Sequence, residues 1–351
     1  MTRTAFVAAG VLAFVLAGGV LHFLEASPVA TFVVTGIALG GVAWTIGIAT
    51  ESVGARYGPA VTGALQSTLG NLPELFIVLF ALAAGEIVVA QFAILGSLFA
   101  NALLVLGLAV AVGALRAPSG IMRFEPRLPN DTATLLLLAV FIIALLGASD
   151  LAGDAASDNA MAISVVGAIL LLAVYGAWLF AYLRAEVRGE RALEEPSHTV
   201  LPFAFAIALL AGSGISAAFV SEWFVDAIDP AVEELGISKA FTGLVIVAIA
   251  GNAVENVVAI QLAAKQKYDL AVSVVKNSVV QIACFLWPVL ILSSLFFSQQ
   301  LTFVVAPIFV GALVLMALAV WQITGDGEAA FFEGAARTAL YLVLATIVWF
   351  E

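Results

Sequence analysis

The chain has 351 residues, of which 63% are hydrophobic and 11% are charged, and its formal net charge is −11. Soluble domains carry about 25% charged residues, so this composition excludes an ordinary soluble globular protein. The negative charge argues against nucleic acid and anionic lipid as partners. Because Cys284 is the only cysteine, a disulfide framework and a thiolate metal cluster are excluded as well.

Long apolar runs recur along the chain, and runs of about 18 or more residues are typical of membrane-spanning helices. We therefore predict an all-α, polytopic membrane protein with about 11 transmembrane helices and short connections. The first run is longer than a signal-peptide core of about 7–15 residues, so we expect a retained helix rather than a cleaved leader. The predicted spans are 5–24, 29–50, 61–83, 87–114, 132–149, 161–184, 200–221, 241–264, 270–297, 302–323 and 334–350.

The distribution of positive charge predicts the orientation. With a cytoplasmic N-terminus, 11 lysine and arginine residues, Arg337 among them, fall inside, and only Lys239 falls outside. We therefore predict a cytoplasmic N-terminus and an external C-terminus, in the plasma membrane of a prokaryote. The expected outer loops carry acidic residues, namely Asp150, Asp154, Asp158, Glu222, Asp226, Asp229, Glu233 and Glu234.

One motif occurs twice. The stretch Gly70-Asn71-Leu72-Pro73-Glu74 recurs as Gly251-Asn252-Ala253-Val254-Glu255, and its glycine, asparagine and glutamate all recur at one constant offset (251 minus 70). The two copies enter the membrane from opposite sides in the predicted topology. Inverted repeats with broken, polar helices are typical of secondary transporters. The predicted organisation is an extra helix (1–25), a first five-helix repeat (26–185), a cytoplasmic linker (186–199) and a second five-helix repeat (200–351).

The repeated motif also predicts the functional site. Of 24 acidic residues, only Glu74 and Glu255 lie deep in predicted spans, where a carboxylate is costly and marks function. The other predicted members of this cation and proton site are Asn71, Asn252, Ser97, Ser278 and Gln281. Secondary candidates are Asn101, Gln66, Asn256 and Lys276. Oxygen ligands without His or Cys suit a hard cation such as Ca²⁺, with Glu74 and Glu255 as the expected metal ligands.

Two carboxylates held close together titrate as a coupled pair. Such a pair holds either one divalent cation or protons, and that competition is the physical basis of antiport. We therefore expect alternating access to a two-glutamate site near the middle of the membrane.

Three further residues have more than one interpretation. Lys276 lies about seven positions into its predicted span, and it either snorkels back toward water or acts as a cation beside the glutamates; we favour snorkelling. Gly36 and Gly40 predict a close-packing helix face rather than a site.

At these residues the chain resembles the calcium/cation antiporter superfamily and, within it, the cation/proton exchanger (Ca²⁺/H⁺ antiporter) family. The similar stretches are 70–75, 96–107, 251–255, 269–271, 281–283, 325–328 and 333–334. The resemblance implies that Glu74 and Glu255 are the essential carboxylates, and that Asn71, Asn252, Ser97, Ser278 and Gln281 line the site. It implies Ca²⁺ efflux driven by inward proton flow.

The chain departs from the family pattern at a few positions. Asn256 stands where the family often has His, and Lys276-Asn277-Ser278 stands where a small Gly-Ser pair is usual. The tract Ala329-Ala330-Phe331 is less polar than usual. These departures leave the driving ion and the stoichiometry open.

Other functions stay open as alternatives. The first is a Na⁺-coupled Ca²⁺ exchanger. Whether Mn²⁺ or another divalent ion competes with Ca²⁺ as the cargo also stays open. A cation channel would need charged rings from several subunits, which an internal repeat in one chain disfavours. The pattern does not favour an enzyme, because no nucleophile and base stand at the right depth. We expect no cofactor and no obligate protein partner, only the lipid bilayer and small cations.

Overall fold

The computed structural model describes residues 3–54, 56, 69–125, 127–187 and 201–350. These residues are mostly helical. The helices are α1 (Arg3–Phe23), α2 (Pro28–Gly54), α3 (Leu72–Ala83), α4 (Ile87–Arg116), α5 (Arg127–Ala152), α6 (Ala160–Val187), α7 (Phe203–Leu235), α8 (Lys239–Gly251), α9 (Ala253–Ala264), α10 (Tyr268–Ser294), α11 (Pro307–Gly325) and α12 (Phe331–Trp349). Gln66 and most of the predicted linker 186–199 lie outside the described residues.

Three helices contain a π-helical segment. These segments are Ala100–Val105 in α4, Thr242–Val247 in α8 and Ile282–Leu286 in α10. A π-helical turn holds an extra residue and is frequent at functional sites. Here the segments in α4 and α10 directly follow the stretches that carry predicted site residues.

Two short strands form an antiparallel ribbon, β1 (Ile121–Arg123) with β2 (Glu328–Ala330). Its register pairs Ile121 with Ala330 and Arg123 with Glu328. The latter pair also forms a salt bridge, with Arg123 Nε 3.1 Å from Glu328 Oε1.

The described helices confirm a polytopic membrane protein. Eight of them are long and apolar enough to cross a membrane, and α8 with α9 makes up to nine as one broken span. The shorter apolar helices are α3 and Pro307–Gln322 of α11. The predicted 11 spans are compatible with these elements, although much of the third span lies outside the described residues.

Several predicted boundaries are wrong. Helix α7 continues to Leu235, well beyond the predicted end at 221, so Glu222, Asp226, Asp229, Glu233 and Glu234 lie on a helix rather than in a loop. The reason is packing: apolar residues of the last turns are buried and extend the stripe that holds α7 in place. The helix ends only at Gly236, whose φ of 65° is the left-handed conformation that glycine adopts readily. Asp150 likewise lies in the last turn of α5.

The chain divides into two compact units. The first unit comprises Met1–Ala93, Trp178–Val254 and Val348–Glu351, and the second comprises Ile94–Ala177 and Glu255–Ile347. Each unit therefore takes segments from both predicted repeats.

In the first unit, α2 and α7 pack along each other, and α1, α3 and α8 pack against this pair. Thr45 Oγ1 and Ser213 Oγ share a buried hydrogen bond of 2.7 Å between α2 and α7. Gly36 and Gly40 form the predicted close-packing face, because an added Cβ at Gly36 would lie 3.3 Å from the Phe224 ring. At one end of this unit, the Lys239 ammonium contacts Glu86 and Asp229.

In the second unit, α5 packs against α10 and α11, and the ribbon packs against α4. The buried thiol of Cys284 donates a hydrogen bond of 3.3 Å to the Leu135 carbonyl. Arg337, one of the positive charges used to predict the orientation, is buried in this unit, where its Nη2 donates to the Ala319 carbonyl at 2.7 Å. Helix α12 begins three residues earlier than predicted, which places Arg337 within its second turn.

The two motif copies have matching boundaries. Helices α3 (Leu72–Ala83) and α9 (Ala253–Ala264) are the same length, and their first residues differ by the offset that relates the two motifs (253 minus 72). The first residues of the next helices, α4 and α10, differ by that same offset (268 minus 87). The repeated sequence therefore folds into a repeated backbone.

Candidate functional site

The first motif copy forms the start of α3. Asn71 precedes the helix with φ −92° and ψ 15°, outside the regular α conformation. Pro73 stands in the first turn, where its missing N–H costs nothing. The Leu75 N–H donates to the Asn71 carbonyl at 2.9 Å, which closes the first turn. Glu74 therefore lies at the positive end of the helix dipole, where negative charge is favoured.

The second motif copy forms the break between α8 and α9. Asn252 ends α8 with φ −105° and ψ 21°, close to the values at Asn71. Its Nδ2 donates to the Ala248 carbonyl at 3.0 Å. Glu255 follows in the first turn of α9, as Glu74 does in α3. Both copies thus place a carboxylate at the N-terminus of a helix that begins at a break.

Three predicted site residues gather in the first unit. Glu74 is only 1% exposed, and Asn71 and Asn252 are also buried. A Cβ added at Gly251 would lie 3.7 Å from the Glu74 Cβ, so the Glu74 backbone passes close to the second motif. Among the described residues, Asn71 Nδ2 has no hydrogen-bond partner. This part of the site is therefore a buried carboxylate between two asparagine-containing helix ends.

The second unit holds the remaining described candidates. Ser97 and Asn101 lie one turn apart on α4, where Asn101 Nδ2 donates to the Ser97 carbonyl at 3.0 Å. Glu255 and Asn256 lie at the start of α9, and the remaining three, Lys276, Ser278 and Gln281, lie on α10.

Two predicted site residues of the second unit, Ser278 and Asn256, have buried oxygen atoms without a partner in the described part of the chain. These atoms are Ser278 Oγ and Asn256 Oδ1. A buried polar atom left in this way costs free energy unless a ligand or water satisfies it. Asn256, where the resembled family often has His, therefore supplies an amide oxygen rather than an imidazole.

Lys276 does not follow the favoured snorkelling interpretation. It is 4% exposed and lines a cavity of about 10 Å³ with Thr132 and apolar side chains of α4, α5, α10 and α11. A cavity of that size holds about one water molecule.

The candidate ligand atoms are oxygens rather than imidazole nitrogens or thiolate sulfurs. Among the described residues, no three His, Cys, Asp or Glu side chains lie together as a metal cluster. Hard cations bind amide, hydroxyl and carbonyl oxygens as well as carboxylates, and the described candidates offer such oxygens.

The sequence profile of the family described as "Sodium/calcium exchanger protein" matches residues 27–184 and 205–350. The chain belongs to this family. The match covers both copies of the motif and almost all of the described helices, so the predicted resemblance is confirmed.

Named relatives of this exchanger-family chain extend along its whole length. The Ca(2+)/H(+) antiporter ChaA of Bacillus subtilis is 33% identical over 344 residues, covering 97% of this chain and 96% of the relative. The Ca(2+)/H(+) antiporter of Aphanothece halophytica is 30% identical over 361 residues, covering 97% and 96%. The solved structure of native YfkE is similar with a TM-score of 0.83 at 29% identity, covering 97% of this chain and 98% of YfkE.

Sequence reasoning missed two polar contacts of this exchanger-family chain. Ser221 on α7 contacts the Pro73 carbonyl beside Glu74, and Lys239 joins Glu86. The first joins residues 148 positions apart, and the motif offset, which relates Ser221 to Gly40 in α2, does not indicate it. The second joins residues far apart in the sequence, and no local pattern indicates it.

Proposed function

We propose that the chain is a secondary active antiporter that exports Ca²⁺ or a related cation in exchange for H⁺. The observation that carries this proposal is the repeated helix break, which puts a glutamate at the start of α3 and again at the start of α9. The named Ca²⁺/H⁺ antiporters at about 30% identity over almost the whole chain support the same reaction.

Glu74 and Glu255 are the cation ligands and the proton carriers of this proposal. When both are ionised they hold the divalent cation together with amide and hydroxyl oxygens. When protons bind, the pair loses its negative charge and releases the cation, because one set of oxygens cannot serve both. Exposure of this site to one membrane face at a time would couple the two flows.

The proposal also includes the membrane location, the orientation and the class of the protein. The protein is integral to the plasma membrane of a prokaryote, with a cytoplasmic N-terminus and an external C-terminus. The motif-bearing repeats, 26–185 and 200–351, have opposite orientation. The chain acts as a transporter rather than an enzyme, works on small cations and needs neither a cofactor nor an obligate protein partner.

A Na⁺-coupled exchanger is the second candidate. The family description itself names sodium, which favours it. Its site would take Na⁺ instead of protons and would use more neutral oxygens, such as those of Asn256 and Ser278.

Flux in proteoliposomes tests the proposal. Purified protein is reconstituted, and Ca²⁺ flux is followed under a pH gradient and, separately, under a Na⁺ gradient. We expect flux with the pH gradient alone. Flux that requires Na⁺ would establish the second candidate, and no flux under either gradient would reject both.

The site assignment is tested with Glu74→Gln and Glu255→Gln. Losing a charged ligand costs about 3 kcal/mol, which is roughly 100-fold in affinity, so we expect flux to fall to background in both variants. The matched control is Glu222→Gln, which changes an exposed glutamate of α7 and should leave flux unaltered. Normal flux in either motif variant would contradict the assignment.

A further inference from the structure

Helices α2 and α7 run antiparallel in the first unit. Thr45 bonds to Ser213, whereas Phe32 stacks on Phe224 with ring centroids 4.8 Å apart, so position rises along one helix as it falls along the other. The offset between the two motifs also relates these helices, and it places Ser221 at the position of Gly40 (221 minus 40). Both residues lie near the middle of the contact between α2 and α7.

Ser221 contacts the first motif copy. Its side chain is 0% exposed, and its Oγ donates to the Pro73 carbonyl at 3.4 Å. A hydroxyl buried in a membrane protein needs an acceptor, and this carbonyl belongs to the first turn of α3, directly before Glu74. The hydroxyl therefore connects α7 to the backbone that carries the glutamate.

Gly40 contacts the second motif copy. A Cβ added at Gly40 would lie 3.4 Å from the Ala253 Cβ and 3.8 Å from the Ala250 carbonyl oxygen. Ala250 and Ala253 flank Gly251-Asn252, so the glycine packs directly on the second helix break. Ser221 and Gly40, which the repeat relates, therefore contact the two helix breaks. Ser221 contacts the first break through its hydroxyl, and Gly40 packs against the second without a side chain.

We propose that Ser221 is a positioning residue for Glu74, whose hydroxyl fixes the first turn of α3 through the Pro73 carbonyl. Gly40 does the equivalent for the second break by close packing alone. The inference rests on the proposed function in that the positioned carboxylate binds the transported cation. The hydroxyl itself need not touch the cation.

The test compares Ser221→Ala with Ser213→Ala. Both variants remove one buried serine hydroxyl from α7, but the Ser213 hydroxyl bonds to Thr45 of α2 rather than to the first motif. We expect Ser221→Ala to raise the KM for Ca²⁺ about fivefold, the value of one neutral hydrogen bond, with little change in the maximal rate. Ser221→Thr keeps a hydroxyl and should recover most of the affinity. Ser213→Ala should leave KM unchanged.

Hydrogen exchange provides a readout that does not depend on transport. Amides at the start of α3, including that of Leu75, should exchange faster in Ser221→Ala than in Ser213→Ala or the wild type. The inference would be overturned if the α3 amides exchanged at the same rate in Ser221→Ala and Ser213→Ala, or if the two variants had the same KM for Ca²⁺. Absence of wild-type flux would instead reject the proposed function, and the exchange comparison would still decide whether Ser221 fixes α3.

Discussion

The two motif copies have the same backbone conformation, but different contacts hold the turns at their C-terminal ends. Each copy consists of a helix break, a helix of the same length and a turn into a longer helix. In the first copy the turn contains Gly85, with φ 83°, and Glu86, which contacts Lys239 at 2.7 Å. In the second copy Gln266 takes the corresponding position, with φ 60°, and its Nε2 donates to the Arg116 carbonyl at 2.8 Å.

This comparison shows which structural features recur in both copies and which occur in only one. The break, the helix length and the left-handed turn recur because they are backbone features that bring a carboxylate to a helix start. The fastening of the turn differs, being ionic in the first copy and a neutral hydrogen bond in the second. The site is therefore repeated, whereas its supports are specific to each copy.

Replacing Gly251 should have the largest effect on this comparison. Gly251→Leu would push a large side chain toward Glu74, whose Cβ lies 3.7 Å from an added Cβ. Overpacking costs about 1–3 kcal/mol, and we expect the displaced carboxylate to reduce Ca²⁺ flux about tenfold or more. Gly251→Ala makes only an ordinary contact and is the control. Equal flux in both variants would contradict the close approach of Glu74 to the second motif.

Substitutions at the left-handed residue of each turn should differ in their effect on the free energy of unfolding. Gly85→Ala puts a Cβ on a left-handed residue and should lower the free energy of unfolding by about 1 kcal/mol. Gln266→Gly relieves the same strain but loses the bond to Arg116, so the two effects should nearly cancel. Thermal unfolding in detergent measures both. Equal destabilisation by the two substitutions would contradict the prediction that Gly85 and Gln266 occupy equivalent left-handed positions.

The smallest expected effect is at the ionic fastening. Lys239 contacts both Glu86 and Asp229, but these groups are partly exposed, so Lys239→Met should cost only about 0.5–1 kcal/mol. The loss should shrink at high ionic strength, because salt screens exposed pairs. The matched control is Lys267→Met in the second turn, at the position that corresponds to Glu86. An equal loss in the control, or no dependence on salt, would show that the ion pairs do not stabilise the first turn.

The sequence predicted the repeated parts of this molecule and missed its specific contacts. Polar residues inside apolar runs indicate a helix break locally, so the membrane class, the family and the offset of the two motifs could be predicted. The contact between Lys239 and Glu86 joins residues 153 positions apart, and that between Ser221 and Pro73 joins residues 148 apart. Such pairs depend on how helices pack. The roles of Glu74 and Glu255 stay predictions that the flux measurements test.

The burial of Cys284 makes the chain convenient for spectroscopy. Its thiol is enclosed in the second unit and bonded to the Leu135 carbonyl, and it is the only cysteine in the sequence. A hydrophilic maleimide should therefore leave the native protein almost unlabelled. One introduced surface cysteine would then carry the whole fluorescent or spin-label intensity, and a pair of introduced cysteines would give label-to-label distances during turnover.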